Sequence, residues 1–253
     1  MKLKLYVNVA VIVAFSVFVT RFASADEVAE ILAKVDATLT KVTDQRYSGE
    51  MEIMNDGKVT KTLKFNVMLK GLHMKIVRFT APGDVRGMTV LTTAKGHMYV
   101  YLPSYKRVRR VASHVRNQGF MGSDISPEDM GAASLSVGWT GTLISGKEDT
   151  EDTWVLDLKP KSGNPTTYSK LRIEVLKKYG GVSKLEYFNA EGKVVKTQVR
   201  SEWKTYGPIT LPTLFNVKDE RSSSVTVLRF SGCKVNTGIS DRAFTKRAIM
   251  RVD

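Results

Sequence analysis

The sequence predicts a mainly β protein, an open antiparallel barrel of roughly ten or eleven strands with one helix lying against it. Three observations predict it. Apolar spacing of three and four residues is confined to one stretch near the N-terminus. A period of two takes over from Tyr47 and returns almost to the C-terminus, and short Gly- and Asp-containing turns separate its repeats.

The first stretch is a delivery signal and not an element of the fold. Lys2 and Lys4 precede an apolar run from Leu5 to Val19 that is interrupted by Asn8 and Ser16 and followed by Ala23-Ser24-Ala25. A spanning helix needs roughly twenty apolar residues, more than this run supplies. A basic start, a short apolar core and small residues at its end fit a cleaved secretory signal. Cleavage is expected after Ala25, which makes residues 1–25 the signal peptide and 26–253 one mature domain. No cysteine follows the run, so no lipid tether is expected there and the mature chain is expected to be soluble.

The helix comes next. Val28, Ile31, Leu32, Val35 and Leu39 form one apolar stripe, with Glu27, Glu30, Lys34 and Asp36 off it. Asp26 and Glu27 suit its positive N-terminal end. In the strands, Leu63, Phe65, Val67 and Leu69 alternate with Lys64, Asn66 and Lys70, as one wet and one dry face require. The alternation returns in Met98, Val100, Leu102; Trp154, Leu156, Leu158; Leu171, Ile173, Val175; and Val195, Thr197, Val199. Asp56-Gly57, Gly71, Lys95-Gly96, Pro103-Ser104, Gly180-Gly181 and Glu191-Gly192 mark the turns. Alternation is satisfied equally by a filled core and by the wall of a cavity.

One stretch breaks the pattern. From about Ala112 to Ala133 the alternation is lost to Gly, Ser and Asp, and Ser126-Pro127-Glu128-Asp129 reads as a short helix start. Long ordered loops in compact domains are usually lids or binding loops. Gly119 and Gly122 flank Phe120 and Met121 and are read as hinges around a plug. Asp124, Glu128 and Asp129 are read as helix caps and as ion-pair partners of Arg109 or Arg116.

Composition narrows the function. The formal charge of +14 falls to +11 on 228 residues once Lys2, Lys4 and Arg21 leave with the signal. For an exported chain, anionic lipid head groups are the commoner acidic surface, and nucleic acid is not expected as a partner. Cys233 is the only cysteine, read as a buried small hydrophobe, so no intrachain disulfide can form. His73, His97 and His114 have no metal-ligand spacing, and there is no phosphate loop, G-x-S-x-G or paired-Cys motif. No enzymatic activity, cofactor or metal is expected. Lys106, Arg107, Arg109, Arg110 and Arg116, with His114, form a basic strip beside Tyr99, Tyr101 and Tyr105. It is either a solvated face or a patch for an anionic partner.

Two blocks then carry a resemblance. "RFTAPGDVRGMTVLTTAKGHMYVYLPSYKRVRRV" with "QGFMGSDISPEDM", and "GISDRAFTKRAI" with Ile239, Asp241 and Phe244, resemble the outer-membrane lipoprotein-sorting protein family, LolA-like and LolB-like relatives of the periplasmic lipoprotein carriers. The likeness runs across essentially the whole mature chain. It implies an incomplete antiparallel β-barrel with helices as a lid, around an apolar cavity for acyl chains, in the periplasm. The cavity-wall candidates are Leu63, Phe65, Val67, Leu69, Met98, Val100, Trp154, Leu156, Leu158, Leu171 and Ile173, with Phe120 and Met121 on the lid. The implied cargo is lipid or acylated protein, with an inner-membrane transporter or outer-membrane acceptor as partner and the chain itself a monomer. The family's lid-closing arginine falls at Lys70 or Gly71, so that latch is not carried over. The "FMGSD" lid belongs to the broader relatives, which look like accessory proteins to exporters of other hydrophobic cargo. A lipid-sensing protein that docks on an inner-membrane exporter or signalling complex is therefore the alternative reading.

Overall fold

The computed structural model describes residues 25–112, 119–130, 134–144, 151–164 and 166–251. Residues 1–24, nearly all of the expected leader, and His114 and Arg116 lie outside the described residues. The chain forms helix α1 (Ala25–Thr40), then β1 (Asp44–Asn55), β2 (Lys58–Lys70), β3 (Met74–Ala81), β4 (Thr89–Thr92), β5 (Met98–Leu102) and β6 (Arg107–Arg110). Two short helices follow, α2 (Pro127–Met130) and α3 (Leu135–Gly138). The remaining strands are β7 (Trp139–Leu143), β8 (Thr153–Pro160), β9 (Lys170–Leu176), β10 (Gly181–Phe188), β11 (Val194–Tyr206), β12 (Ile209–Asp219) and β13 (Ser224–Val235), before α4 (Lys246–Ile249).

All thirteen strands belong to one sheet, in the order β6-β5-β4-β3-β2-β1-β13-β12-β11-β10-β9-β8-β7. Every neighbour but one follows in sequence. The exception, β1 with β13, joins an arm of β1–β6 to an arm of β7–β13 through pairs such as Gly49↔Phe230 and Met51↔Leu228. The sheet is mainly antiparallel β that does not close into a barrel: β6 and β7 are its two free edges. The segment that breaks the alternation is the chain connecting them. The strands exceed the ten or eleven expected because β4, β6 and β7 are only four or five residues long.

The apolar stripe of α1 finds its partner on the second arm. Val28, Ile31, Leu32 and Val35 are buried against Leu156, Leu158, Leu171, Ile173, Val175, Val182 and Leu185. On the first arm, Met51, Ile53, Leu63, Phe65, Val67, Val77 and Phe79 form a second core. Gly49 is required there, since a Cβ would sit 2.4 Å from the Phe65 ring. A third cluster lies on the outer face of β3–β5, where Ile76, Leu91 and Tyr101 are covered by Ile239, Phe244 and Ile249 of the C-terminal segment.

The face expected inward on β11 is overturned. Val199 is 41% exposed, while Lys196 and Gln198 are 5% and 7% exposed. Of the predicted row only Val195 is buried. Tyr187 pairs with Lys196 and Leu185 with Gln198, so the polar set shares the concave side with the core of β10. A strand has period two, so a one-residue choice exchanges its faces entirely. Cys233 is half-buried rather than buried, and its partial burial raises the thiol pKa.

Asp44, at the start of β1, ties the C-terminal cover to the sheet. Its carboxylate accepts from Thr237 N and Oγ1 at 2.7 Å each, Gly238 N at 3.0 Å and Ile239 N at 3.2 Å. Burial alone would raise its pKa, but the hydrogen bonds from Thr237, Ile239 and Gly238 outweigh it and hold it at about 2. A depressed carboxyl stabilises the fold above its ordinary value of 3.8 and loses that contribution as the pH falls toward 2. Asp44→Asn should therefore lower unfolding free energy by about 2 kcal/mol at neutral pH. In urea titrations across pH the gap to the wild type should close by about pH 2. A gap that stays constant across that range would show that the ionised carboxylate is not its source.

Candidate functional site: a cavity beneath a latched crossing segment

Between β6 and β7, the described residues 119–130 and 134–138 lie against the core side of the sheet. Phe120 and Met121 lie at the tip of this segment, in a single 3-10 turn, Phe120–Gly122. The tip is shaped by its glycines more than loosened by them. A Cβ on Gly119 would meet the Ser123 carbonyl at 2.1 Å, and Gly122 holds φ at +85°. Phe120 N donates to the Ile125 carbonyl at 2.7 Å and Ser123 Oγ to the Phe120 carbonyl at 2.7 Å. Beneath the tip is a cavity of about 210 Å³ lined by Val90, Met98, Val100, Val111, Gly119, Phe120, Met121 and Pro127.

A file of rings leads away from Phe120. Phe120 stacks on Phe79 at 5.7 Å, Phe79 meets Phe65 at 5.7 Å, Phe65 meets Phe230 at 6.3 Å, and Phe230 meets Phe215 edge-on at 5.0 Å. Tyr47 joins Phe230 at 5.4 Å.

The crossing segment is held by polar contacts to elements far away in sequence. Asp124 accepts from Thr226 Oγ1 at 2.6 Å and Ser224 Oγ at 3.0 Å, both on β13. Glu128 accepts from the hydroxyls of Thr166 and Thr167 in the β8–β9 connection. Asp129 accepts from Lys196 Nζ at 2.6 Å, with each side chain 6% exposed. Tyr168 completes that knot, donating to Asp129 Oδ1 at 3.1 Å and accepting from Lys196 at 3.0 Å. Burial first, and then the Asp129 charge, push the Tyr168 hydroxyl far above its ordinary pKa. The Asp36 carboxylate of α1 accepts from the Ser134 hydroxyl and, at 3.0 Å each, from the N–H groups of Leu135 and Ser136, fastening α3.

Of the three acids expected at a helix start, Asp129 takes that role, accepting from Ser126 N at 2.7 Å. Its charge is met by Lys196 and not by Arg109, Asp124 and Glu128 bind hydroxyl groups instead, and Arg116 lies outside the described residues. Lys70, the position aligned with a latch, instead binds the C-terminal cover, through Asp241 at 2.6 Å and the Ile239 carbonyl at 2.8 Å.

The candidate wall residues divide among different surroundings. Met98 and Val100 line the cavity. Leu63, Phe65 and Val67 are buried in the core around the ring file, and Leu69 is half-buried. Leu156, Leu158, Leu171 and Ile173 are covered by α1. Trp154 is partly buried at the rim of that core, with Lys34 and Lys177 over its ring at 5.8 and 5.5 Å. Lys106, Arg107, Arg109 and Arg110 are exposed along the free edge β6. Arg109 pairs with Val100 and Arg107 with Leu102, so both stand on the concave side, next to the cavity, while Arg110 pairs with Tyr99. Charge along an exposed edge also discourages pairing with other chains. Sequence reasoning missed Asp36, Tyr168, Lys196, Gln198 and Arg200. The signal for the last three is the alternation in "KTQVR" itself, which lets either set face inward.

A family model described only as an uncharacterized protein matches residues 71–251, more than half of the chain. The chain belongs to that family. Solved structures similar to this chain are found by fold. A DUF1329 family protein from Desulfovibrio piger superposes with a TM-score of 0.82 at 25% identity, covering 89% of this chain and 98% of its own. A protein described as a putative outer membrane lipoprotein-sorting protein domain, from Vibrio parahaemolyticus, gives 0.81 at 21% identity, covering 90% and 100%. A LolA superfamily protein from Nitrosomonas europaea gives 0.72 at 22%, covering 87% and 98%. Comparison with curated proteins finds no match. The last two likenesses show the fold alone: this chain shares the open sheet of those structures. Among the described residues no helix is long and apolar enough to cross a membrane, and no cluster of three metal-ligating side chains occurs.

The buried Asp129–Lys196 pair makes the crossing segment's attachment measurable. Removing one partner of a buried pair strands the other charge and costs about 3–5 kcal/mol, whereas replacing both by apolar groups is often nearly neutral. Asp129→Ala should therefore lower the urea midpoint strongly, and adding Lys196→Met should recover most of the loss. Equal midpoints for the single and double variants would mean that Lys196 does not depend on Asp129.

Proposed function

We propose that the protein is a periplasmic carrier or chaperone that shields a lipid, or the acyl chains of a lipidated cargo, on the concave side of its open sheet. The supporting observation is the placement of the break in the sheet. The two free edges are joined by a segment whose apolar tip, Phe120 and Met121, covers the cavity on the first arm, while its attachments to the second arm are polar. Such attachments exchange with water when the segment lifts, which a tightly packed apolar cover does less easily. The cavity of about 210 Å³ is below the roughly 300–1,000 Å³ of ordinary ligand pockets, so an acyl chain requires Phe120 and Met121 to withdraw. The leader expected at residues 1–25 supplies the compartment. The names of the lipoprotein-sorting and LolA superfamily structures point to the same class of cargo. No catalysis enters this reading.

The exposed strip Lys106, Arg107, Arg109 and Arg110 beside the cavity favours a second reading, in which the protein docks on an anionic membrane surface or an acidic exporter and senses lipid without carrying it. The two are separable with a fluorescent fatty acid and anionic vesicles. Phe120→Ala with Met121→Ala should speed release of the bound fatty acid several-fold. Charge reversal at Arg107, Arg109 and Arg110 should leave occupancy unchanged and weaken vesicle association on the order of 100-fold at low salt, at roughly 1 kcal/mol per basic residue. No saturable uptake of the fatty acid would overturn the carrier reading. Loss of uptake in the charge-reversed protein, with exchange unchanged in the alanine pair, would make the strip itself the lipid site.

A further inference from the structure

The inward row of β11 brings three polar side chains into an otherwise apolar interior. Lys196 is neutralised by Asp129. Arg200 is held differently. Its Nε and Nη2 both donate to Gln198 Oε1, at 2.9 and 2.7 Å, and its guanidinium lies 5.0 Å from the centre of the Phe215 ring. Among the described residues no carboxylate lies within ion-pair distance of it, the ion pairs of β11 being confined to Lys196. The surrounding protein, by desolvation, draws its pKa below the usual guanidinium value. A second cation approaches from the opposite arm: Lys75 of β3, brought down to about 8 first by burial and then by the charge of Arg200.

Arg200 is also open to a ligand. Among the described residues, Thr93 Oγ1 is the sole buried side-chain nitrogen or oxygen without a hydrogen-bond partner. Arg200 itself is half-buried and hydrogen-bonds to Gln198 through Nε and Nη2; the buried Tyr187 hydroxyl interacts electrostatically with it. Gln198 fixes the plane of the fork and leaves the remaining N–H groups aimed outward. A partly desolvated guanidinium with no counter-charge gains from an anionic ligand, and its planar fork matches a carboxylate or phosphate oxygen pair. Arg200 further sits at one end of the ring file, over Phe215, with Phe120 at the other end.

We propose that Arg200, with the Tyr187 hydroxyl and Lys75, forms an internal oxyanion site that receives the acidic head of a single-chain acyl amphiphile, its tail lying along the ring file toward Phe120. The inference rests on the carrier reading and adds to it the polarity of the ligand and its direction in the cavity. The same chemistry is offered by a fatty-acid carboxylate and a lysophospholipid phosphate.

The test compares oleate, oleoyl lysophosphatidic acid and neutral monoolein on the mature protein, below their micellar concentrations and at about 0.5 M salt, which screens the exposed strip far more than an internal site. At least one anionic ligand should bind about 10- to 100-fold more tightly than monoolein. Preference for oleate identifies the carboxylate as the head, and preference for the phosphate ester the other source. Arg200→Gln should erase the preference and leave monoolein binding unchanged, and Tyr187→Phe, the milder change, should reduce it. If Arg200→Gln does not fold, the wild-type ratio and the Tyr187 variant decide. Equal affinities for all three ligands would overturn the site while leaving the carrier reading intact. Absence of binding by any of them would remove both.

Discussion

The structure depends on how one open edge is managed. A sheet of thirteen strands that stops short of closure exposes a concave apolar face, costly in water, and two free edges open to pairing with other chains. Here the connection between those edges is laid across the face, and its hold on the far arm is the buried pair of Asp129 with Lys196. Removing a carboxylate and an ammonium from water is worthwhile only when their remaining hydrogen-bonding capacity is met. Tyr168 and Ser126 meet it. The three other acids of the system, Asp36, Asp124 and Glu128, each anchor to hydroxyl or backbone donors instead. The crossing segment is thus fastened at several polar points, with apolar contact concentrated at its tip.

The same arrangement explains why charge occurs inside. An apolar core would be better served by a valine at each inward position of β11, yet the strand carries Val199 on its other face, 41% exposed. Turning Lys196, Gln198 and Arg200 inward costs desolvation, offset for Lys196 by the crossing segment and partly for Arg200 by Gln198 and the Phe215 face. Interior polar groups of this kind sacrifice stability for a specific contact.

Much of this was legible in the sequence and some was not, for physical reasons. The stripe Val28, Ile31, Leu32, Val35 and the rows from Leu63 to Val67 and from Leu171 to Val175 each bury one face, so periodicity identified them and their faces correctly. The irregular stretch after Ala112 was recognisable because a chain leaving one edge for the other cannot alternate. The β11 face was not recoverable, because polar and apolar residues alternate there with equal regularity, and the choice is made by Asp129, 67 positions away. Nor could spacing reveal that Asp36 fastens Ser134, 98 positions on. Of the site, the irregular segment carrying Phe120 and Met121 and the alternating row of Met98 and Val100 were visible as patterns, the reading of that row as cavity wall came from the resemblance alone, and the polar knot required three dimensions. The rows under α1 were read as cavity wall on the strength of resemblance; in this structure the helix covers them.

The account centres on an interior that holds an acyl ligand beneath the crossing segment. Native mass spectrometry of the mature protein, released gently from cells and never exposed to detergent, addresses this most directly. The account predicts a population carrying one non-covalent acyl species per chain, displaced when competing fatty acid is added. A single ligand-free mass, accompanied by a stoichiometric protein partner and unmoved by added lipid, would contradict it.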